Sequence, residues 1–244
     1  MTITEFFSLG FVLKYFRDHA ATFDDRAMIA IYTVSIIVIA VIAYLLGSLN
    51  FAIIISKKQY SQDIRSYGSN NAGMTNMMRT YGTRAAGLTL LGDALKAVVS
   101  ALVGYAVLGQ LGAYIAGCAC ILGHIFPLYY KFKGGKGVVT TAITILMCNP
   151  FVFLIMFALY VGMVLLSKYI SFASVMSMII YPAVLYKIDV WLNGTCPYIL
   201  FALFISVLVI FKHIDNIKRL LAGTESKFSF KKSVKPDNSE KKDK

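Results

Sequence analysis

A chain of 244 residues that is 58% hydrophobic and only 15% charged departs from soluble domains, which are about 45–50% apolar and about 25% charged, and it is too apolar to stay disordered. Its formal net charge is nevertheless +12, from 24 basic and 12 acidic residues, at a mean hydropathy of +0.69. That pairing excludes a soluble nucleic-acid-binding domain and fits an integral membrane protein whose cations lie outside the bilayer core. Cys118, Cys120, Cys148 and Cys196 form no CxxC pair and sit in or beside apolar runs, so they read as small buried hydrophobes. His19, His124 and His213 are too dispersed for a zinc motif, and neither a metal nor a cofactor is expected.

Residues 1–26 form an extension ahead of the first long apolar run. Phe6, Leu9, Leu13 and Phe16 recur at helical spacing with Lys14 and Arg17 on other faces, which predicts an interfacial helix. The basic start and small-residue cleavage site of a secretory signal are missing, so no cleavage is expected. A helix needs about 20 apolar residues to cross a bilayer. The stretches 29–56, 84–108 (which carries Asp93 and Lys96), 112–130, 170–186 and 195–211 each read as a crossing. Residues 137–167 are too long an apolar run for one helix, and Asn149 and Pro150 supply the turn that divides it in two. The predicted fold class is therefore all-α integral membrane, with seven transmembrane helices over 27–228. Beyond them, 229–244 reads as a flexible lysine-rich tail drawn to anionic lipid. No internal repeat is visible, which disfavours transporters built from duplicated halves.

With seven crossings, residues 57–84, 131–136, Lys168 and everything after Phe211 share one side of the membrane. Nineteen of the 24 Lys and Arg residues lie there; Lys14, Arg17, Arg26 and Lys187 lie opposite, and Lys96 is within a span. The bias predicts a cytoplasmic location for the first set and an amino terminus outside.

Three polar clusters fall on that cytoplasmic face. The first, residues 63–79, packs hydroxyl and amide side chains, two glycines, Arg65 and Arg79 between two crossings. Hydroxyls, amides and backbone N–H groups donate hydrogen bonds, and arginine matches phosphate oxygens with a two-pronged donor set, so the composition suits an anionic ligand. The plainer reading is a polar turn before a helix. The second cluster, residues 131–140, sets Lys131, Lys133 and Lys136 around Gly134, Gly135 and Gly137 directly before a helix, where N–H groups, the positive helix end and ammonium charge could converge on one phosphate. It is not the nucleotide-binding P-loop, because Lys136 is followed by glycine; the plainer reading is an orientation signal. In the third, residues 213–225, His213, Asn216 and Arg219 recur at three-residue spacing on one helix face, against the plainer reading of a structural imidazole at a membrane boundary.

Together these residues resemble the PlsY-type, acyl-phosphate-dependent glycerol-3-phosphate acyltransferases of bacterial membranes. Three motifs occur in order: GSxNxGxTNxxR from Gly68 to Arg79, FKGGKGV from Phe132 to Val138, and HxxNIxRLLxGTE from His213 to Glu225. Gly47-Ser48, Asp63-Ile64-Arg65, Asp93 with Lys96, and Gly123-His124 followed by Phe126-Pro127 add to the match, which covers about 44–228. Three positions depart from it: Asn70 and Ala97 stand where the family usually has glycine, and Met74 where it has alanine. At the first and last of these, a larger side chain is expected to narrow the phosphate loop or alter its backbone.

The resemblance implies a multi-pass protein of the bacterial cell membrane with its active site in cytoplasmic-face loops. It implies transfer of a fatty acyl group from acyl phosphate to the 1-hydroxyl of glycerol 3-phosphate, giving 1-acylglycerol 3-phosphate (lysophosphatidic acid) and phosphate, the first acylation of phospholipid synthesis. The implied catalytic residues are Ser69, Arg79, His213 and Asn216. Lys136, with N–H groups around Gly134, Gly135 and Gly137, and Asn71, Thr75, Asn76 and Arg65 would bind phosphate and orient the acyl carbonyl. Either His213 or a phosphate oxygen of a substrate would take the proton. Membrane lipid, the enzyme that supplies acyl phosphate and the next acyltransferase are the implied partners; nucleic acid is not. Two other readings use the same residues: a membrane carrier of a phosphorylated anion, and an inactive relative serving as a scaffold.

Overall fold

The computed structural model describes residues 3–19 and 24–228, with side chains from residue 8 onward; the expected tail, 229–244, lies outside the described residues. Ten α-helices account for most of the described chain: α1 (Ile3–Asp18), α2 (Asp25–Gly47), α3 (Phe51–Tyr60), α4 (Met74–Tyr81), α5 (Thr83–Ile125), α6 (Val138–Cys148), α7 (Pro150–Ser167), α8 (Ile170–Asn193), α9 (Ile199–Phe211) and α10 (Ile214–Leu221). Asp25–Tyr60, Thr83–Tyr130, Pro150–Ser167 and Ile170–Asn193 are long and apolar enough to cross a membrane, and α9 with α10, bent by 57°, makes a fifth candidate. The multi-pass all-helical class expected from the sequence is therefore present.

Local chemistry sets the helix ends. Asp24 accepts from Ala27 N at 2.7 Å and opens α2, Asn50 accepts from Ile53 N at 3.1 Å and opens α3, and Asn149 accepts from Val152 N at 3.1 Å and opens α7. Such caps contribute about 1 kcal/mol each. Asn149 also closes α6, and Pro150 takes the first position of α7, so the pair divides the long apolar run as its sequence suggested. At 11 residues α6 is about 16 Å long, half the thickness of a bilayer core.

Two elements differ from the simple runs read in the sequence. The runs 84–108 and 112–130 become the two arms of α5, the second ending at Ile125, and α5 reverses at Leu108 and Gly109 (φ 58°). The arms touch so closely that a Cβ on Gly104 would lie 2.2 Å from Gly112 O. Residues 29–56 are broken at 48–50. The break is tied to other elements through one carbonyl and two side chains: Lys96 Nζ donates to Leu49 O at 2.7 Å, Ser48 Oγ accepts from Leu128 N at 3.2 Å, and Asn50 Nδ2 donates to Ala72 O at 3.2 Å. Irregular backbone is tolerated at membrane depth on this condition.

Helix α5 is the centre of the molecule. It packs α2 through Gly47 and Gly123, where backbones approach without side chains between them, in the manner of small-residue contacts between membrane helices. A second core joins α5, α6, α7, α8 and α9 through Ile121, Ile145, Val152, Tyr181 and Ile205. Exposed Val34, Ile37, Leu154, Leu166 and Val207 give α2, α7 and α9 an apolar outer surface. Helix α1 is more than an interfacial helix: it bends at Gly10 (φ 67°), buries Phe16, and lays its backbone against Gly109 at the turn of α5.

Candidate active site

The first polar cluster folds around one buried amide. Asn76, 1% exposed, accepts from Ser69 N through Oδ1 at 2.9 Å and donates through Nδ2 to Tyr67 O at 2.9 Å, Asn71 O at 3.1 Å and Ile64 O at 3.2 Å. Its polar atoms are used inside the loop, so it shapes the site. Asn70 sits at φ 55°, a left-handed conformation that asparagine tolerates better than most residues, which accounts for glycine or asparagine at this position. Arg65 does not join the pocket. Its guanidinium is taken by Asp63 at 2.7 and 2.9 Å and by the carbonyls of Tyr130 and Lys133 at 3.0 and 2.9 Å, so it ties the first loop to the second. The Arg65 hydrogen bonds hold the Asp63 carboxyl down at about 2.

The glycine loop lies back over the end of α5. Gly134 N donates to Ile125 O at 3.2 Å and Gly135 N to His124 O at 3.1 Å. These N–H groups are consumed, which corrects the expectation that they would meet phosphate. Both positions require glycine for another reason: a Cβ on Gly134 would lie 2.1 Å from His124 O, and one on Gly135 2.2 Å from His124 Nε2. The donors left to the pocket are Lys136 and the first turn of α6, where Gly137 (φ 81°) caps the helix and Gly137, Val138 and Val139 line the wall. No preceding turn takes that turn's N–H groups, so the positive helix end faces the cavity.

The third cluster closes the pocket. His213, 2% exposed, lies within 2.8 Å of Val209 O through Nδ1. A carbonyl only accepts, so Nδ1 carries the hydrogen and Nε2 is the acceptor of the neutral ring. Lys136 Nζ donates to Asn216 Oδ1, Asn216 Nδ2 donates to Glu225 Oε1 at 2.7 Å, and Arg219 Nε donates to Glu225 Oε2 at 2.7 Å. Arg79 reaches Ser226 O at 3.4 Å across the mouth. Burial lowers the Lys136 ammonium to about 8, with Glu225 opposing the shift and Arg219 and Arg79 adding to it. Burial also pushes the Glu225 carboxyl up, but its hydrogen bonds from Asn216 and Arg219 outweigh this and leave it below the usual range.

One pocket thus gathers Ser69, Asn71, Thr75, Asn76, Arg79, Lys136, Gly137, His213 and Asn216, nine of the twelve residues singled out from the motifs; Arg65, Gly134 and Gly135 stand behind its wall. It also holds residues that the sequence reading did not place there: Asp93 and His124 from α5, Tyr160 from α7, and Ser171 and Ser174 from α8. A signal for the serines existed, since Ser171, Ser174 and Ser177 recur every three residues and share one face of α8. A second, almost wholly apolar groove adjoins the first. Met74, Val138, Val139, Tyr160 and Ser174 line both, and Phe153, Met156, Phe157 and Met178 extend it between the helices.

The family profile described as Glycerol-3-phosphate acyltransferase matches residues 37–223. A protein of that name from Thermoanaerobacter pseudethanolicus is 43% identical over 196 residues, 80% of this chain and 97% of the relative. One from Coxiella burnetii is 41% identical over 193 residues, 78% of this chain and 97% of the relative. Crystal structures of PlsY, an integral membrane glycerol 3-phosphate acyltransferase, superpose over 80% of this chain and 96% of theirs: the glycerol 3-phosphate form at a TM-score of 0.72 and 33% identity, and the lysophosphatidic acid form at 0.70 and 31%. The chain belongs to the glycerol-3-phosphate acyltransferase family.

Proposed function

We propose that the polar pocket holds the phosphate groups of glycerol 3-phosphate and acyl phosphate while the apolar groove receives the acyl chain, and that the acyl group passes directly to the glycerol 1-hydroxyl. The observation that carries this reading is the junction of the two cavities. A donor-rich cleft opens into an apolar groove through the walls they share, which suits a reaction whose substrates are both anionic at one end and of which one has a long apolar tail. A carrier would more commonly bind near mid-membrane on broken helices of paired repeats. An inactive scaffold would have no need to keep nine motif residues on one cavity.

Arg79, Lys136 and the first turn of α6 bind phosphate, and Ser69, Asn71 and Thr75 orient it and the acyl carbonyl. His213 Nε2 accepts the hydrogen bond of the attacking hydroxyl, and Asn216 turns from Glu225 and Lys136 toward substrate. The hydroxyl oxygen bonds to the acyl carbon, the bond from that carbon to the phosphate oxygen breaks, and the proton ends on the released phosphate. Neither metal nor cofactor enters, because acyl phosphate is already activated. Seven crossings formed by α2, the two arms of α5 and α6 to α9 would put this pocket at the cytoplasmic face, with the amino terminus outside, in keeping with the bias of basic residues. The enzymes that supply acyl phosphate and consume the product would then meet this protein at that face. Purified protein given acyl phosphate should release phosphate and form 1-acylglycerol 3-phosphate in equal amounts when glycerol 3-phosphate is present. Product formed from an acyl thioester and not from acyl phosphate would refute the donor assignment.

A further inference from the structure

Asp93, Lys96 and His124 form a buried ionic cluster beneath the glycine loop, at 1%, 4% and 4% exposure. The first two come from one arm of α5 and the histidine from the end of the other. Lys96 Nζ lies 2.7 Å from Leu49 O, 2.8 Å from Asp93 Oδ1 and 3.0 Å from His124 Nδ1. An ammonium has donors and no lone pair, so His124 Nδ1 must turn its lone pair toward Lys96, while the Asp93 contact is an ion pair without hydrogen-bond geometry. Asp93 Oδ1 also approaches Nδ1, but only to 3.5 Å. A neutral ring that accepts at Nδ1 carries its hydrogen on Nε2. Nε2 is the atom that leaves no room for a Cβ on Gly135, and His124 and Asp93 both reach the wall of the polar pocket.

We propose that Lys96 and Asp93 are positioning residues that fix His124 in its Nε2–H tautomer, and that His124 offers this hydrogen to the phosphate of a bound substrate. Lys96 does not serve substrate itself: it is buried, it does not line the pocket, and its ammonium is held by Leu49 O, His124 and the Asp93 carboxylate. The opposite tautomer would aim a lone pair at an anion, whereas a neutral donor fixed in advance stabilises the anion without bringing another charge to be balanced. The same Lys96 ammonium satisfies the carbonyl freed at the break between α2 and α3, so the phosphate floor and the broken span are held by one charge. The inference rests on the reading of the pocket as a phosphate site.

Protein labelled with 15N-histidine and purified in detergent tests it. The His124 ring should show the Nε2–H tautomer, unchanged between about pH 6 and 9, and saturating glycerol 3-phosphate should shift the Nε2–H resonance. Lys96→Met should populate the Nδ1–H tautomer and raise KM for glycerol 3-phosphate about tenfold. Should that variant fail to insert, His124→Gln and His124→Asn leave Lys96 and Asp93 in place and carry the test. Glutamine sets an amide nitrogen near the Nε2 position and asparagine near Nδ1, so the asparagine variant should have a KM about tenfold above that of the glutamine variant. A wild-type ring protonated on Nδ1, an Nε2–H signal that substrate leaves unmoved, or equal KM values in the two variants would overturn the proposal. Phosphate binding by the pocket is tested separately by Lys136→Ala, so the two failures are distinguishable.

Discussion

Lys136 is the pocket cation that can lose its charge within a working pH range. Burial lowers its ammonium to about 8, and the charged form is the one that attracts phosphate. As pH rises through that value the free enzyme loses the charge, so kcat/KM for glycerol 3-phosphate should fall about tenfold per pH unit above about 8. Bound phosphate favours the charged lysine, so kcat should hold to higher pH. Lys136→Arg should be less active at neutral pH but flat over the same range, because guanidinium stays protonated. A wild-type kcat/KM that is level from pH 7 to 9.5 would remove Lys136 from this role. Lys136→Ala should cost about 1.5–3 kcal/mol of phosphate affinity, roughly ten- to a hundredfold in KM. At this scale the residues that the pocket gathers were legible as polar clusters between apolar runs. The fates of Gly134 and Gly135 were not, since their N–H groups are taken by carbonyls at 124–125 that only the fold brings near. Nor was that of Arg65, whose partners Tyr130 and Lys133 lie in the other loop.

Among the elements, the approach of α2 to α5 depends on glycine. A Cβ on Gly47 would lie 2.2 Å from Cys120 O, a backbone atom that cannot rotate away. Gly47→Ala should therefore cost about 1–3 kcal/mol, read as a lower unfolding temperature in detergent. An unchanged unfolding temperature would mean the helices are not in this contact. Helix α1 meets the turn of α5 at Leu108 and Gly109, while the pocket begins at Asp93, about 20 Å further along the arm. Removing residues 1–23 should lower the unfolding temperature and leave KM for both substrates unchanged; an altered KM would give α1 a part in catalysis. The division at Asn149 and Pro150 could be read in advance because cap and proline are local signals. The break at 48–50 could not, because its sequence is continuous with apolar runs and what holds it open comes from Lys96, Leu128 and Ala72.

For the molecule as a whole, the topology proposed from the bias of basic residues would turn the phosphate end of the site toward the cytoplasm. With Cys118, Cys120, Cys148 and Cys196 replaced, Lys58→Cys at the end of α3 should resist an impermeant thiol reagent added to intact cells, and Asn193→Cys at the end of α8 should react. The reverse pattern would invert the protein and separate the pocket from cytoplasmic substrates. The central claim is that one cavity holds both substrates together, so that the acyl group moves directly and Ser69 orients without becoming acylated. Initial rates measured while both substrates are varied, with Ser69 examined by mass spectrometry after incubation with acyl phosphate alone, test it most directly. Reciprocal plots should intersect and Ser69 should remain unmodified. Parallel plots, with an acyl-Ser69 that passes its label to glycerol 3-phosphate, would contradict the account.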